Sequence, residues 1–444
     1  MTGTIYALST PTGRSGVAVV RVSGLGALHS LKLLTGKEFV PRTAHVVRLC
    51  DPENGGVLDR ALILTFQAPA SFTGEDVVEY HLHGGRAVVE SLLAFLVRQA
   101  DHRMAEPGEF TRRAFENGKM DLTGAEAIAD LIDAETSAQQ AQALAQMDGA
   151  LSRLYGDWTE RLKKLLAHLE ADLEFPDEDL PEGIDARVLL ALESIRMEIS
   201  AHLDDNRRGE RLRDGVHIAV IGAPNAGKSS LVNALAQRDV AIVSDMPGTT
   251  RDVIEVHLNL GGWPVILSDT AGLRPEQLGD SGHDRVEFEG IRRALMRARE
   301  ADLKILLFDA GAEAMDAATL ALADLNSVIV VNKIDRHASA RLLAEDAVFI
   351  SAQTGEGIDS LLEVLTAKIS ALLRPSETPS LTRARHRTAL ADAVHLLSVV
   401  AVPKLPELAA EDVRLALRAL GRITGRVDVE DLLDVIFRDF CIGK

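Results

Sequence analysis

In VHIAVIGAPNAGKSSLVNAL, Gly222, Gly227, Lys228 and Ser229 meet the pattern G-x-x-x-x-G-K-[ST] between an apolar run and a helical one. In such a loop, here Asn225, Ala226, Gly227, Lys228, Ser229 and Ser230, backbone N–H groups converge on phosphate oxygens and the helix N-terminus adds its dipole. Lys228 then neutralises β/γ charge and Ser229 ligates Mg²⁺. A second apolar run, VILSDTAG, ends on Asp269, Thr270, Ala271 and Gly272; the carboxylate holds the Mg²⁺ shell through water and the Gly272 N–H reaches a γ-phosphate. A third, VIVVNKID, ends on Asn332, Lys333 and Asp335. An aspartate at that point accepts from both guanine N1–H and the 2-amino group, a pair that adenine does not offer. Ser351, followed by Ala352 in SAQTGEG, supplies a backbone contact to the guanine oxygen.

In this order, and each after a predicted strand, the four stretches resemble the Ras-like GTPase signature, which implies GTP and not ATP. Two departures matter. Leu273 stands where Ras-type enzymes place the glutamine that orients the attacking water. Asn225 replaces a loop glycine, and the polar stretch Ser244, Asp245, Met246, Pro247, Gly248, Thr249 and Thr250 carries a threonine suited to Mg²⁺. An Asn225 carbonyl beside loop carbonyls makes an all-oxygen nest for a hard monovalent cation, which would neutralise charge where other GTPases insert an arginine. The same residues also fit a plain switch loop with no cation.

The elements that must position these groups follow from patterning. A chain of 444 residues exceeds one core at about 100–200 residues per domain. With 46% hydrophobic and 26% charged residues its composition is globular. Residues 1–118 alternate short apolar runs (GVAVVRV, RALILTF, DVVEYHL) with Gly and Pro and read as a mixed α/β domain. Residues 119–212 turn to Ala, Leu, Glu and Gln at helical spacing, with an acidic break EFPDEDLPEG at 174–183. A βα alternation at 213–375 is the nucleotide domain, and after the linker RPSETPS helical periodicity returns over 376–444. An α/β domain is thus expected as an insertion between two helical segments that cover one another's apolar stripes.

The start lacks a signal peptide, no apolar run reaches the about 20 residues a bilayer requires, and two distant cysteines, Cys50 and Cys441, make no disulfide framework. The expectation is a soluble cytoplasmic protein without membrane contact. A net charge of −18 works against nonspecific polyanion binding, although TRARHRT at 382–388 could form a local basic patch or simply a solvated helix start. Cys441, in the terminal FCIGK, reads either as a small buried hydrophobe or as a thiol presented at a site.

Three further stretches resemble one family, the MnmE (TrmE) tRNA modification GTPases: TPTGRSGVAVVRVSG, PGEFTRRAFENGKMDLTGAEAIADLIDAET and the terminal CIGK. The resemblance spans essentially the whole chain. It implies an N-terminal folate-binding and dimerisation domain, a central helical domain from both flanking segments, and an inserted G domain. It implies a homodimer acting with the FAD- and NADH-using flavoprotein MnmG, as a heterotetramer. Together they would place aminomethyl or carboxymethylaminomethyl groups on C5 of the wobble uridine of certain tRNAs, with 5-formyl- or 5,10-methylene-tetrahydrofolate supplying one carbon.

By the same resemblance, folate contacts fall on Arg21, Glu79, Lys119 and Lys444. Potassium ligands fall on Asn225, Ser244, Met246 and Thr249, and Mg²⁺ on Ser229 and Thr250. The water-orienting glutamate falls on Glu287, with Glu289 as the alternative because RPEQLGDSGHD before it is longer than expected. Cys441 becomes a candidate catalytic group beside the folate site, as nucleophile, acid or positioning thiol. Glu255 stands where the family can carry a basic residue. A regulatory RNA-binding GTPase of ribosome assembly would share the G domain, but would have no use for a folate pocket or a terminal cysteine.

Overall fold

The computed structural model describes residues 3–174, 184–238, 240–242, 255–269, 300–337, 346–374, 378–400, 406–427, 430–438 and 440–443. The chain divides into two compact units: Met1–Ala129, Gln146–Val188 and Val402–Lys444 form one, and Asp130–Ala145 with Leu189–Ala401 the other.

The first unit is built on β1 (Thr4–Leu8), β2 (Ser15–Ser23), β3 (His45–Cys50), β4 (Val57–Phe66), β5 (Val77–Gly84) and β6 (His102–Met104), in the order β3-β4-β5-β2-β1-β6. All pairs are antiparallel except β1 with β6. The period-two runs put Val20, Val22, Val78, Tyr80, Leu82 and Ile63 on one face, under α1 (Ala27–Thr35) and α2 (Arg86–Val97), which contribute Leu31, Leu34, Leu92, Phe95 and Leu96. The opposite face is left for Arg21 and Glu79, which alternate with those core residues.

α3 (Glu109–Glu116) closes this unit with a buried ionic cluster. Arg113 is 2% exposed, yet its guanidinium reaches Glu109 Oε1 (3.0 Å), both Glu75 oxygens (3.1 Å) and the Gly3 carbonyl (2.9 Å). Arg103 also donates to Glu109, and Ser23 donates to Glu75 at 2.7 Å. A buried guanidinium is tolerated because its fixed fork of donors is met by acceptors. Arg113→Ala would leave Glu109 with Arg103 as its one guanidinium partner, remove Glu75's buried cation and open a cavity, and is expected to cost about 3 kcal/mol, read as a lowered urea midpoint.

Two long helices, α6 (Ala150–Glu174) and Pro406–Thr424, lie in the same unit, joined on their exposed side by Arg414 and Glu170 at 2.7 Å. The helix Glu430–Arg438 packs Leu433 and Phe437, with Phe440 beyond it, on Leu122 and Ala125 of α4 (Leu122–Ile132). After it the chain runs against the N-terminal strands. Ile442 bridges Pro107, Cys441 carbonyl accepts from Gly108 N–H (3.4 Å), and Ser9 Oγ donates to Gly443 carbonyl (3.0 Å). The end described at Gly443 is therefore tied down.

The second unit holds a sheet of order β12-β11-β10-β7-β9-β8. Its strands are β7 (Val216–Gly222), β8 (Glu255–Leu260), β9 (Trp263–Asp269), β10 (Leu303–Asp309), β11 (Ser327–Asn332) and β12 (Val348–Phe349). Only β8 is antiparallel to its neighbour. The parallel strands are apolar on both faces: Ile218, Val220, Ile305 and Leu307 join one core, and Ala219, Ile221, Leu306 and Phe308 another. α9 (Lys228–Ala236) follows β7, whose two neighbours β9 and β10 lie on opposite sides, the switch point at which doubly wound sheets bind ligands.

In the helical part of this unit, His202 is 8% exposed. Burial, with Arg387 and His386 adding to it and Asp205 only partly opposing, pushes its imidazole down to about 4. An unfolded histidine titrates near 6.5. Its neutral burial therefore contributes stability fully above about pH 6.5, lost progressively toward pH 4 and on the order of 3 kcal/mol in all. Urea midpoints of His202→Gln are expected to fall less than wild type over that interval.

Candidate functional site

At the end of β7, Gly222 is packed so tightly that a Cβ would lie 2.3 Å from the Leu307 carbonyl, which explains why no larger residue opens the loop. Asn225 and Gly227 then take positive φ (63° and 101°), folding the loop back toward the first turn of α9. Lys228 Nζ spans the loop, donating to the carbonyls of Gly222 (2.9 Å) and Ala223 (3.0 Å). Ser229 and Ser230 are exposed at the helix N-terminus beside it. A cation held by backbone carbonyls, the first turn of a helix and an exposed hydroxyl are together groups that can receive a phosphate chain with a hard metal ion.

Asn332, 2% exposed at the end of β11, locks this loop to the next two segments. Its Nδ2 donates to the Ala226 carbonyl (2.9 Å), and its Oδ1 accepts from Ala352 N–H (3.0 Å). Lys333, at φ 70°, donates from Nζ to the Asn225 carbonyl (2.7 Å) and to Asp309 Oδ2 (2.6 Å). Burial tends to raise the Asp309 carboxyl, but the hydrogen bonds from Lys333 and Gly311 N–H outweigh it and hold it below the usual range. Ser351 Oγ donates to Asp335 Oδ1 (2.6 Å) and accepts from Thr354 N–H (3.1 Å), which fixes the carboxylate against the loop after β12. Phosphate loop, Asn332-Lys333-Asp335 and Ser351-Ala352 are thus one hydrogen-bonded assembly.

Asp309 was absent from the sequence reading. Its signal was available, since LKILLFD ends an apolar strand in an aspartate as VILSD does. Of the remaining candidates, Ser244, Asp245, Met246, Pro247, Gly248, Thr249, Thr250, Thr270, Ala271, Gly272, Glu287, Glu289 and Lys444 lie outside the described residues, as does the side chain of Asp269.

On the second face of the N-terminal sheet, partly covered by Phe110, Arg21 and Glu79 are direct cross-strand partners. Arg21 Nε (3.0 Å) and Nη2 (2.9 Å) both donate to Glu79 Oε1. Glu79 Oε2 lies 3.7 Å from His81 Nε2. The guanidinium sits over the rings of Phe72 (5.5 Å) and Phe110 (5.7 Å). Lys119 Nζ donates to the Pro69 carbonyl (2.8 Å), so the loop carrying Pro69 and Phe72 joins Lys119 to the Arg21–Glu79 pair. Two residues before Phe110, Gly108 N–H meets the backbone carbonyl of Cys441, which is exposed. A carboxylate, a guanidinium and the half-exposed Phe72 ring on one partly covered face can hold a flat heterocycle with an amide edge.

TRARHRT behaves differently from either expectation. Arg383 bonds Asp130 (2.6 Å), and Arg387 bonds Asp205 (2.6 Å) and Glu210 (3.0 Å). Its charge is consumed by acids as far as 253 positions away, beyond the reach of a local pattern.

The N-terminal domain profile described as GTP-binding protein TrmE N-terminus matches residues 4–119, and that of the MnmE helical domain matches residues 122–441. The tRNA modification GTPase MnmE of Parvibaculum lavamentivorans is 55% identical over 446 residues, covering 99% of this chain and 100% of that one. That of Paramagnetospirillum magneticum is 54% identical over 449 residues, with 100% of both chains covered. The chain belongs to the MnmE family of tRNA modification GTPases. As an MnmE-family GTPase it joins a TrmE-type N-terminal domain and a helical domain to a Ras-like G domain. Among solved structures, the G domain of the T. maritima FeoB iron transporter is 25% identical, covering 36% of this chain and 99% of that one, with a TM-score of 0.25. Among the described residues no helix is long and apolar enough to cross a membrane.

Proposed function

We propose that this chain is the GTP-hydrolysing, potassium-stimulated partner of a flavoprotein of the MnmG type. As a cytoplasmic homodimer in a heterotetramer with it, the chain adds an aminomethyl or carboxymethylaminomethyl group to C5 of the wobble uridine of certain tRNAs. The observation that carries this reading is the presence, in one chain, of two chemically different receptors: the phosphate and base assembly of the second unit, and the Arg21–Glu79 face of the first.

In the G domain, Lys228 draws charge from the β/γ-phosphates, and the Gly227 and Lys228 amides orient them. Asp335 reads the guanine edge, with Ser351 holding its carboxylate, and Asn332 keeps base and phosphate segments in register. The all-oxygen donor set fits hard cations: Ser229 with Thr250 would hold Mg²⁺, and Asn225 with Ser244, Met246 and Thr249 would hold K⁺. When bound, these ions neutralise charge that develops during phosphoryl transfer. Glu287, or Glu289 in its place, aligns the water. In the first unit, Glu79 accepts from the amide and amino edge of a pterin while Arg21, Lys119 and Lys444 are the cations for the glutamyl carboxylates of the folate. 5-Formyl- or 5,10-methylene-tetrahydrofolate supplies the one-carbon unit when bound, and Cys441 stands at the flank of this face.

Mass analysis of wobble nucleosides in tRNA from cells carrying Cys441→Ser, alongside GTP turnover of the same chain in K⁺ and Na⁺, tests the reading. Loss of the modified uridine with GTP turnover retained, and faster turnover in K⁺ than in Na⁺, are expected. Unchanged nucleosides in cells lacking the whole chain would overturn it and favour a purely regulatory GTPase.

A further inference from the structure

The β8–β9 hairpin lies between two stretches that read as nucleotide contacts: SDMPGTTRD ends three residues before Glu255, and DTAG begins on Asp269, the last residue of β9. Its strands pair without a break from Glu255 opposite Ser268 to Leu260 opposite Trp263. Gly261 and Gly262, at φ 62° and 92°, make the two-residue turn. Positive φ at both positions gives the turn whose twist matches the strands. The hairpin is therefore one ribbon, and displacement of its nucleotide end is carried to its turn.

Residues from Asp130–Ala145, in the same compact unit, hold this ribbon. Glu135 Oε2 lies 3.0 Å from His257 Nδ1 across 122 positions of sequence. Ala138 N–H donates to the Gly262 carbonyl at 3.3 Å. Gly262 approaches Ser137 so closely that a Cβ on it would lie 2.8 Å from Ser137 Oγ. The first turn of α5 (Ser137–Met147) is otherwise capped by its own sequence. Thr136 and Gln139 form a capping box, Thr136 Oγ1 accepting from Gln139 N–H (3.4 Å) and Gln139 Oε1 from Thr136 N–H (3.1 Å). Ala138 N–H, one of the first-turn donors a helix cannot satisfy internally, takes its acceptor from the hairpin.

The same segment is anchored elsewhere to the chain leading into the phosphate loop. Gln139 Nε2 donates to the Arg213 carbonyl (2.9 Å) and Gln142 Nε2 to the Gly209 carbonyl (3.2 Å), both in α8 (Arg208–Asp214), the short helix immediately before β7. Asp130 Oδ1 accepts from Arg213 Nε (2.9 Å) and from Arg383 (2.6 Å). A segment fixed to the base of β7 and touching the hairpin turn registers any movement of one against the other.

We propose that Asp130–Ala145 is the nucleotide-sensing joint of this GTPase, with Glu135 a positioning residue that acts through His257 on the hairpin carrying Asp269. Because coupling of binding equilibria is reciprocal, contacts that report hairpin position also bias the hairpin's equilibrium between nucleotide states. Exchange of the Ala138 amide, followed by NMR in the full chain with GDP and with a non-hydrolysable GTP analogue, reads the joint directly. In wild type the two rates should differ by at least about fivefold, the lower end of ordinary coupling. In Glu135→Ala the difference should fall below about twofold, with kcat for GTP reduced at unchanged KM. Glu135→Gln, which keeps an oxygen for His257, should restore both, and His257→Asn provides a second break in the same contact. Equal exchange in the two nucleotide states of wild type, an undiminished response in Glu135→Ala, or failure of glutamine to rescue would each overturn the proposal.

Discussion

Gly227→Ala is expected to weaken GTP binding by at least about 10²-fold, combining backbone strain of about 1–3 kcal/mol with loss of a buried hydrogen bond of similar size. The reason is local and double. Gly227 sits at φ 101°, where an L side chain is strained, and its Cβ would fall 2.3 Å from Asn332 Nδ2. Asn332 cannot move away freely, because its amide is shared between the Ala226 carbonyl and the Ala352 N–H. The substitution therefore disturbs the phosphate loop and the segment after β12 together. Equilibrium binding of a fluorescent GTP analogue measures it, with circular dichroism confirming that the helices persist. Affinity within about threefold of wild type would show that the loop tolerates the clash by a route the packing does not reveal.

Asp335→Asn is the second large effect, and it is a change of specificity more than of strength. The carboxylate offers two acceptors, and Ser351 Oγ already fixes one of its oxygens at 2.6 Å. An amide in its place turns a donor toward the guanine N1–H and 2-amino group. Losing two charge-assisted hydrogen bonds of about 1.5–3 kcal/mol each predicts a fall in GTP affinity of about 10²–10⁴-fold. Xanthosine triphosphate, with a carbonyl at C2, matches the amide and should bind the variant better than GTP does. Competition between the two nucleotides for the wild-type and variant chains measures the exchange of preference. A variant that loses GTP without gaining xanthosine triphosphate would place base recognition elsewhere.

Much of this was readable from residue types alone, for reasons that are themselves local. The phosphate loop is legible because Gly222, Gly227, Lys228 and Ser229 meet their requirements within eight consecutive positions, between an apolar strand and a helix. The apolar runs GVAVVRV and RALILTF lie within β2 and β4, and VVEYHL within β5, since alternation over a strand is fixed by the pleat. Asn332 is a different case. Its place in NKID was legible, but not that its side chain joins two loops 106 and 20 positions away. Arg113 was also missed as a structural centre, because RRAFE reads as a charged helix face and only the fold brings Glu75 and Gly3 to it. TRARHRT failed for the same reason, its acids being supplied by distant segments.

What the sequence determined by itself was the order of the GTPase motifs, each written in short spacings that local backbone geometry converts into position, whereas the Arg21–Glu79 pair, 58 positions apart, is made by the register of β2 on β5. The tertiary structure decided the couplings among them. It set Lys333 against Asp309, folded the chain before Gly443 onto Ser9 and Gly108, and laid Asp130–Ala145 along the hairpin that leads to Asp269. Such contacts depend on which distant surfaces meet once each apolar face is buried, and no periodicity or motif records that choice of partner.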